Sequence, residues 1–313
     1  MGFEIPTVKY SGAIKTETIG ATNPLTLGGE TAYPFYTFEG AMPNKPRIAM
    51  EVWDMDPSEE WPAPALEPFQ DVLKDPVAWA QKCVKEYGAD AIALILKSTD
   101  PNGDDAPAEA AAATAKKVAD AIDVPLIVYG TSAVDKDADV LAAVAEACAD
   151  KKIVLGPVQD KNFKKIGAQA LAYGHSVAAN SPIDVNLAKQ LNILLGNLGV
   201  PDTRILIDPT TGGLGYGMEY CYSVMERIRM AALTQDDDKL MLPIINYVGQ
   251  EVWKVKECRL TNDEAPELGD QKQRGIMMEA VTAASLLLAG SDLLILRHPE
   301  TVKMAKTLID ELM

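Results

Sequence analysis

Apolar residues along this chain follow two alternating rhythms. Short uninterrupted blocks are separated by stretches in which apolar residues recur at i, i+3 and i+4. From Arg47 onward the alternation is regular. Ile48–Val52 is the first block. Then come Ala91–Leu96, ending at Lys97, and Pro125–Tyr129, ending at Gly130. Lys152–Leu155 ends at Gly156-Pro157, and Ser176–Ala179 ends at Asn180. Ile205–Asp208, Leu242–Ile245 before Asn246, and Leu293–Leu296 before Arg297 complete the set. Continuous apolar runs of this length suit strands covered on both faces.

The intervening stretches read as helices. Asp75-Pro76 supplies an N-cap and a first-turn proline for a helix that ends at Gly88. An alanine-rich helix is expected over 106–122. Others run through Val140, Leu141, Val144 and Cys148, and through Phe163, Ile166 and Leu171. Ser181-Pro182 is expected to cap a helix carrying Leu187, Leu191, Leu194 and Leu198, stopped by Gly199. Further helices carry Val224, Met225 and Ile228, and then Ile276, Ala280, Ala283 and Leu287. His298-Pro299 caps the last. Eight strand–helix units over about 260 residues predict an α/β fold of the (β/α)8, or TIM-barrel, class. A doubly wound sheet is the competitor, but it carries a nucleotide loop after its first strand. Here that place holds a long loop, 54–74, rich in proline with Trp61 and Phe69. A second long loop, 247–271, contains Trp253 and many charges; loops of this length are usually functional.

Residues 1–46 stand apart as an N-terminal extension before a barrel at 47–313. Gly28-Gly29 lies between Leu25–Leu27 and Thr31–Tyr33, which reads as a hairpin. The extension plugs a barrel end or touches a partner, and the sequence leaves both open.

The chain has 313 residues and a net charge of −16. Nucleic acid and anionic membranes call for basic patches, so neither is an expected partner. The apolar runs are too short to span a bilayer, and Met1–Tyr10 lacks a secretory pattern, so a cytoplasmic location is expected. The four cysteines are far apart, which disfavours an iron–sulfur or zinc cluster on this chain. Cys83 and Cys148 fall on apolar helix stripes and read as core thiols. With only His175 and His298, histidine chemistry is poorly supplied.

Barrel chemistry sits on the loops after the strands. The strand-end candidates are Asp54, Lys97, Thr131, Gln159, Asn180, Asp208, Asn246 and Arg297. Asn180, Asp208 and Asn246 would form a ring of hydrogen-bonding groups suited to a flat polar ligand; each also suits a helix cap. Asp54 and Lys97 are expected to pair across adjacent strands. The richest stretch is Ile205–Gly217, where a strand meets Asp208-Pro209-Thr210-Thr211-Gly212-Gly213-Leu214-Gly215-Tyr216-Gly217. Bare glycine backbone can approach a flat or anionic ligand, or another protein. No Gly-Lys-Ser/Thr follows, and Met218 stands where a dinucleotide fingerprint needs its third glycine. There is no nucleophile beside a base, so no catalytic residue and no metal ligand are assigned.

Over essentially its full length the chain resembles the small subunit of the corrinoid iron–sulfur protein, which is the delta subunit of the acetyl-CoA decarbonylase/synthase complex in archaea. The likeness rests on 208–216, on Gly249-Gln250-Glu251-Val252-Trp253-Lys254-Val255-Lys256-Glu257, and on the tryptophan- and proline-rich loop after Trp53. The resemblance implies a heterodimer with a large subunit that holds the 4Fe-4S cluster and a cobamide (corrinoid) at the interface. It implies methyl transfer from a methyltetrahydrofolate:corrinoid methyltransferase, through cobalt, to acetyl-CoA synthase/CO dehydrogenase in the reductive acetyl-CoA pathway. The first reading is therefore a non-catalytic barrel that caps the cobamide. Its expected corrinoid-facing residues are Thr210, Thr211, Gly212, Gly213, Leu214, Gly215 and Tyr216, with Asn180, Asn246 and Arg297. The barrel also resembles pterin-dependent methyltransferases, where acidic and asparagine side chains hold the pterin as Asn180 and Asp208 would here. The second reading is accordingly a pterin-dependent corrinoid methyltransferase acting by itself. A third is a phosphate-binding barrel enzyme that uses 212–217 as an anion cradle.

Overall fold

The computed structural model describes residues 4–313. Two short strands, β1 (Glu17–Ile19) and β2 (Leu25–Leu27), form an antiparallel hairpin. Eight strands follow: β3 (Arg47–Trp53), β4 (Ala91–Ile95), β5 (Leu126–Tyr129), β6 (Val154–Val158), β7 (Ser176–Asn180), β8 (Ile205–Asp208), β9 (Ile245–Tyr247) and β10 (Leu293–Leu296). All their pairings are parallel, in the order β8-β7-β6-β5-β4-β3-β10-β9. The ring closes where Ile207 donates its N–H to the Pro243 carbonyl at 2.8 Å, with a parallel bridge to Ile244. This is the expected (β/α)8 barrel.

The helices are α1 (Ala63–Leu66), α2 (Pro76–Lys85), α3 (Ala108–Ala121), α4 (Val134–Ala147), α5 (Phe163–Tyr173), α6 (Val185–Leu198), α7 (Met218–Thr234), α8 (Val248–Trp253), α9 (Lys256–Arg259), α10 (Gln271–Leu288) and α11 (Pro299–Leu312). Nearly every strand residue is buried, because one face packs into the barrel and the other under the helices. Cys83 and Cys148 are fully buried in that core, as expected.

Several local expectations are corrected. β2 pairs with Glu17–Ile19 and not with Thr31–Tyr33. Gly28 and Gly29 both hold positive φ and bend the returning strand, so that Gly29 donates to the Ile14 carbonyl. The hairpin turn lies at 20–24 instead. β6 runs on through Pro157, because the proline falls where the register with β7 shifts and no ladder donor is needed. β9 starts later than expected, since Pro243 contributes only its carbonyl. The cap of α6 is Asp184, whose carboxylate accepts from the Asn186 and Leu187 amides at 2.7 and 3.0 Å; Ser181 is not the cap. α2 stops at Lys85, short of Gly88. Both long loops contain short helices: α1 and a 3-10 turn in the first, α8 and α9 in the second.

The N-terminal segment lies across the end of the barrel where the strands begin. Lys15 donates its amide to the Met241 carbonyl, and Gly20 to that of Lys152. Ile14, Ile19 and Leu27 are buried there. The opposite end, where the strands finish, is left open to the loops.

Candidate functional site

At that open end lies a cavity of about 700 Å³. Its floor is built on two buried carboxylates, one on each side of the barrel axis. Between them the rings of Tyr129 and Tyr247 meet edge to face, 5.8 Å apart. Tyr129 ends β5 and donates its hydroxyl to Asp208 at 3.0 Å. Tyr247 ends β9 and donates its hydroxyl to Glu51 at 2.5 Å. Both phenols lie well above their ordinary range, because burial and the neighbouring carboxylate disfavour phenolate.

On the first side, Asp208 is pushed up to about 6 by burial, against the stabilising hydrogen bonds from the Thr210 amide and Tyr129. Thr210 follows with φ at 62°, a left-handed conformation that a β-branched residue rarely adopts. Its surroundings hold it there. Its amide donates to Asp208 at 3.0 Å, its hydroxyl donates to the Ser181 carbonyl, and Asn180 Nδ2 donates to the same hydroxyl at 3.1 Å. Gln159 extends the chain by donating to Asn180 Oδ1 at 3.0 Å.

On the second side, Glu51 is fully buried midway along β3. Arg297 meets it as a fork, Nε to Oε2 and Nη2 to Oε1, both at 2.9 Å. Trp53 Nε1 donates to it at 2.6 Å. The guanidinium then lies 3.8 Å from the ring centre of Trp61, so the proline-rich loop is clamped over this side. Behind it, Glu279 of α10 accepts from the Arg297 and His298 amides. This rigid unit draws on β3, β9, β10, α10 and the loop after β3.

Of the residues singled out in the sequence, Lys97, Thr131, Gln159, Asn180, Asp208, Thr210, Thr211 and Arg297 line the cavity. Asn246 does not: it is buried behind the wall, with Nδ2 3.3 Å from Thr211 Oγ1. The segment from Gly212 to Tyr216 folds away from the cavity onto the rim. A Cβ on Gly212 would sit 2.4 Å from the Gly217 carbonyl carbon, and one on Gly213 would be 3.0 Å from the Glu251 oxygen. The Leu214 amide donates to Thr282 Oγ1 at 3.2 Å, and the Tyr216 hydroxyl to Glu257 at 2.7 Å. These glycines therefore permit close packing of the loop on itself and on α8–α10. The Asp54–Lys97 pair does not form: Asp54 accepts from Ser98, while Lys97 meets Asp100 at 3.1 Å and Glu60 at 3.5 Å.

Sequence reasoning missed Glu51, Tyr129 and Tyr247 as site residues, since each reads as part of a buried strand. The signal that existed was a lone carboxylate at position 51 within an apolar block. Among the described residues no group of three or more His, Cys, Asp or Glu is placed to hold a metal ion, and no helix is long and apolar enough to cross a membrane.

Comparison with known proteins accounts for most of the chain. Residues 17–308 match the model of the CO dehydrogenase/acetyl-CoA synthase delta subunit family. The acetyl-CoA decarbonylase/synthase complex subunit delta of Methanopyrus kandleri is 38% identical over 293 residues, covering 93% of this chain and 71% of that protein. The Archaeoglobus fulgidus subunit is 37% identical, covering 99% and 71%, and that of Methanocaldococcus jannaschii 33%, covering 98% and 76%. Among solved structures, a Xanthomonas albilineans dihydropteroate synthase superposes with a TM-score of 0.58 at 17% identity, covering 95% of this chain and 98% of that one. That likeness is one of fold, and it agrees with the closed barrel seen here. The chain belongs to the CO dehydrogenase/acetyl-CoA synthase delta subunit family.

Proposed function

We propose that this chain is the small subunit of a corrinoid iron–sulfur methyl carrier of the reductive acetyl-CoA pathway. Its barrel mouth caps a cobamide carried by the large subunit, and it serves transfer between methyltetrahydrofolate methyltransferase and acetyl-CoA synthase/CO dehydrogenase without performing the chemistry itself. The observation that carries the reading is the family match over residues 17–308, joined to a cavity of about 700 Å³ at the end of the barrel where the strands finish.

The lining fits a macrocycle edged with primary amides. Gln159, Asn180, Gln190 and Gln250 offer amide donors and acceptors around the wall, while Ile95, Leu191 and Leu194 offer apolar contact. The lining contains neither histidine nor cysteine, so it offers no imidazole or thiolate to cobalt. When bound, the cobamide would supply the metal centre that accepts and gives up the methyl group. The chain's own task is to cover that centre and keep water from it. Tyr129 and Tyr247 line the cavity as apolar rings, with their hydroxyl protons directed into Asp208 and Glu51. Arg297 holds Trp61 as a wall. Exclusion of water strengthens every polar contact within such a site.

The reading is tested with the large subunit loaded with cobamide and reduced. Adding this chain should slow the loss of the Co(I) absorbance under trace oxygen. An unchanged rate overturns the capping role. Methylation of free cobalamin from methyltetrahydrofolate by this chain alone overturns the non-catalytic assignment.

A further inference from the structure

The exposed apolar side chains are not spread evenly. Between Glu39 and Ala170 no large apolar side chain is exposed. That half of the barrel carries ion pairs, among them Lys116–Asp120, Lys136–Asp105 and Lys165–Asp139. The exposed ones gather on the other half, above all on α10. Its outward face carries Met277, Val281, Ala284 and Leu288, spaced by four, three and four residues. Met277, Val281 and Leu288 are 46%, 41% and 49% exposed. From Gly275 to Leu288 the one charged residue is Glu279, and it points inward. A helix that is apolar on all sides is a buried helix, yet here one side faces solvent. The helices that pack against α10 also expose large apolar side chains: Tyr220 and Met230 on α7, Met304 on α11.

We infer that the outward face of α10, with the adjoining sides of α7 and α11, is where the large subunit seats, through an uncharged apolar surface of its own. This rests on the reading above that such a subunit is the partner. Two observations select that occupant over a second copy of this chain. First, the patch is continuous with the mouth. The glycine-rich loop is bonded to α10 through Leu214 and Thr282, and it carries the exposed Tyr216 to the rim. Leu268, just before α10, is exposed there as well. A partner seated on α10 stands beside the cavity it has to supply. Second, a second copy would bring together two shells of net charge −16 around a stripe that offers no charge to offset them.

The test is titration of the fluorescently labelled chain with cobamide-loaded large subunit, alongside the oligomeric state of the chain alone. Val281→Glu and, separately, Leu288→Lys should weaken binding by at least about 30-fold, as loss of an interface anchor does. Ala113→Glu on the ion-paired side should bind as the parent does. All three sites are exposed, and melting curves verify folding. Undiminished binding by both α10 variants overturns the inference while leaving the proposed function in place. A homodimer of the parent chain that Val281→Glu dissociates also overturns it, assigning the face to a second copy. Failure of the parent chain to bind the large subunit at all overturns the proposed function, and this inference with it.

Discussion

Glu51 and Arg297 carry the second side of the cavity as a pair, and each is costly without the other. A buried carboxylate stripped of its cation is left uncompensated. Arg297→Ala should therefore destabilise the fold by about 3–5 kcal/mol, and it should release Trp61 from the guanidinium stacked 3.8 Å from it. Urea denaturation reads the first effect, and a red shift of tryptophan emission the second. A variant that melts like the parent with unchanged emission would show that the clamp is not formed. Asp208 gives a different signature. Burial raises it from 3.8 to about 6, so the folded state keeps a proton that the unfolded chain has released. Its favourable contribution is fully present below pH 3.8 and falls away as pH rises through about 6, beyond which the penalty is constant. Asp137 is likewise raised to about 6 and titrates in the same window, so the useful quantity is a difference. Stability of the parent minus that of Asp208→Asn should decline between about pH 4 and 6 and then flatten. A flat difference would mean that Asp208 is ionised across the range. At this scale Arg297, Asn180 and Thr210 were legible, because polar residues at strand ends stand out against apolar blocks. Tyr129 and Tyr247 were not, because a tyrosine closing an apolar run reads the same whether its hydroxyl serves a site or merely finds a partner.

Elements were read best where one physical pattern was sufficient. The blocks at Ala91 and Leu293 are strands because nothing within them resists burial on both faces. Reading failed where a proline or glycine admits two outcomes. Pro157 lies inside β6 because a register shift removed the need for its N–H, and the sequence does not reveal shifts. Gly28-Gly29 marks a bend, since the partner of β2 comes from upstream and non-local pairing leaves no local trace. The hairpin brings Glu17 into the barrel's base, with both carboxylate oxygens buried and Ser176, Arg204 and Asp292 as its polar and charged surroundings. Desolvation raises Glu17 from 4.5 to about 8, against the opposing effects of Ser176 and Arg204. The unfolded chain ionises first, so the hairpin's hold weakens as pH climbs from about 4.5 to about 8. Glu17→Gln keeps the shape and removes the proton. It should match the parent near pH 4.5 and exceed it at pH 8 and above by up to roughly a few kcal/mol. Thermal melts across that range measure it, and equal melting points at pH 8 would place a compensating charge beside Glu17.

On the scale of the whole molecule, large exposed apolar side chains are sorted to one side, while ion pairs ring the barrel, Lys272–Glu300 and Lys306–Asp90 among them. The sequence showed the totals, −16 and eight repeated units, but the sorting needs the barrel, because only the fold shows that α10, with one charge between Gly275 and Leu288, turns a face to solvent. The ion-paired side gains little stability from its salt bridges, which are exposed and screened. If α10 seats the large subunit through apolar surface, affinity should scarcely change when salt is raised from about 0.05 to 0.5 M, since the Debye length then shortens with few interfacial charges to screen. Binding should also carry a clearly negative heat-capacity change, the mark of apolar burial. Calorimetric titration at several temperatures and two salt concentrations measures both quantities. A dissociation constant that rises steeply with salt, with a heat-capacity change near zero, would instead place the contact on the acidic surface, where a chain of this charge would steer a basic partner.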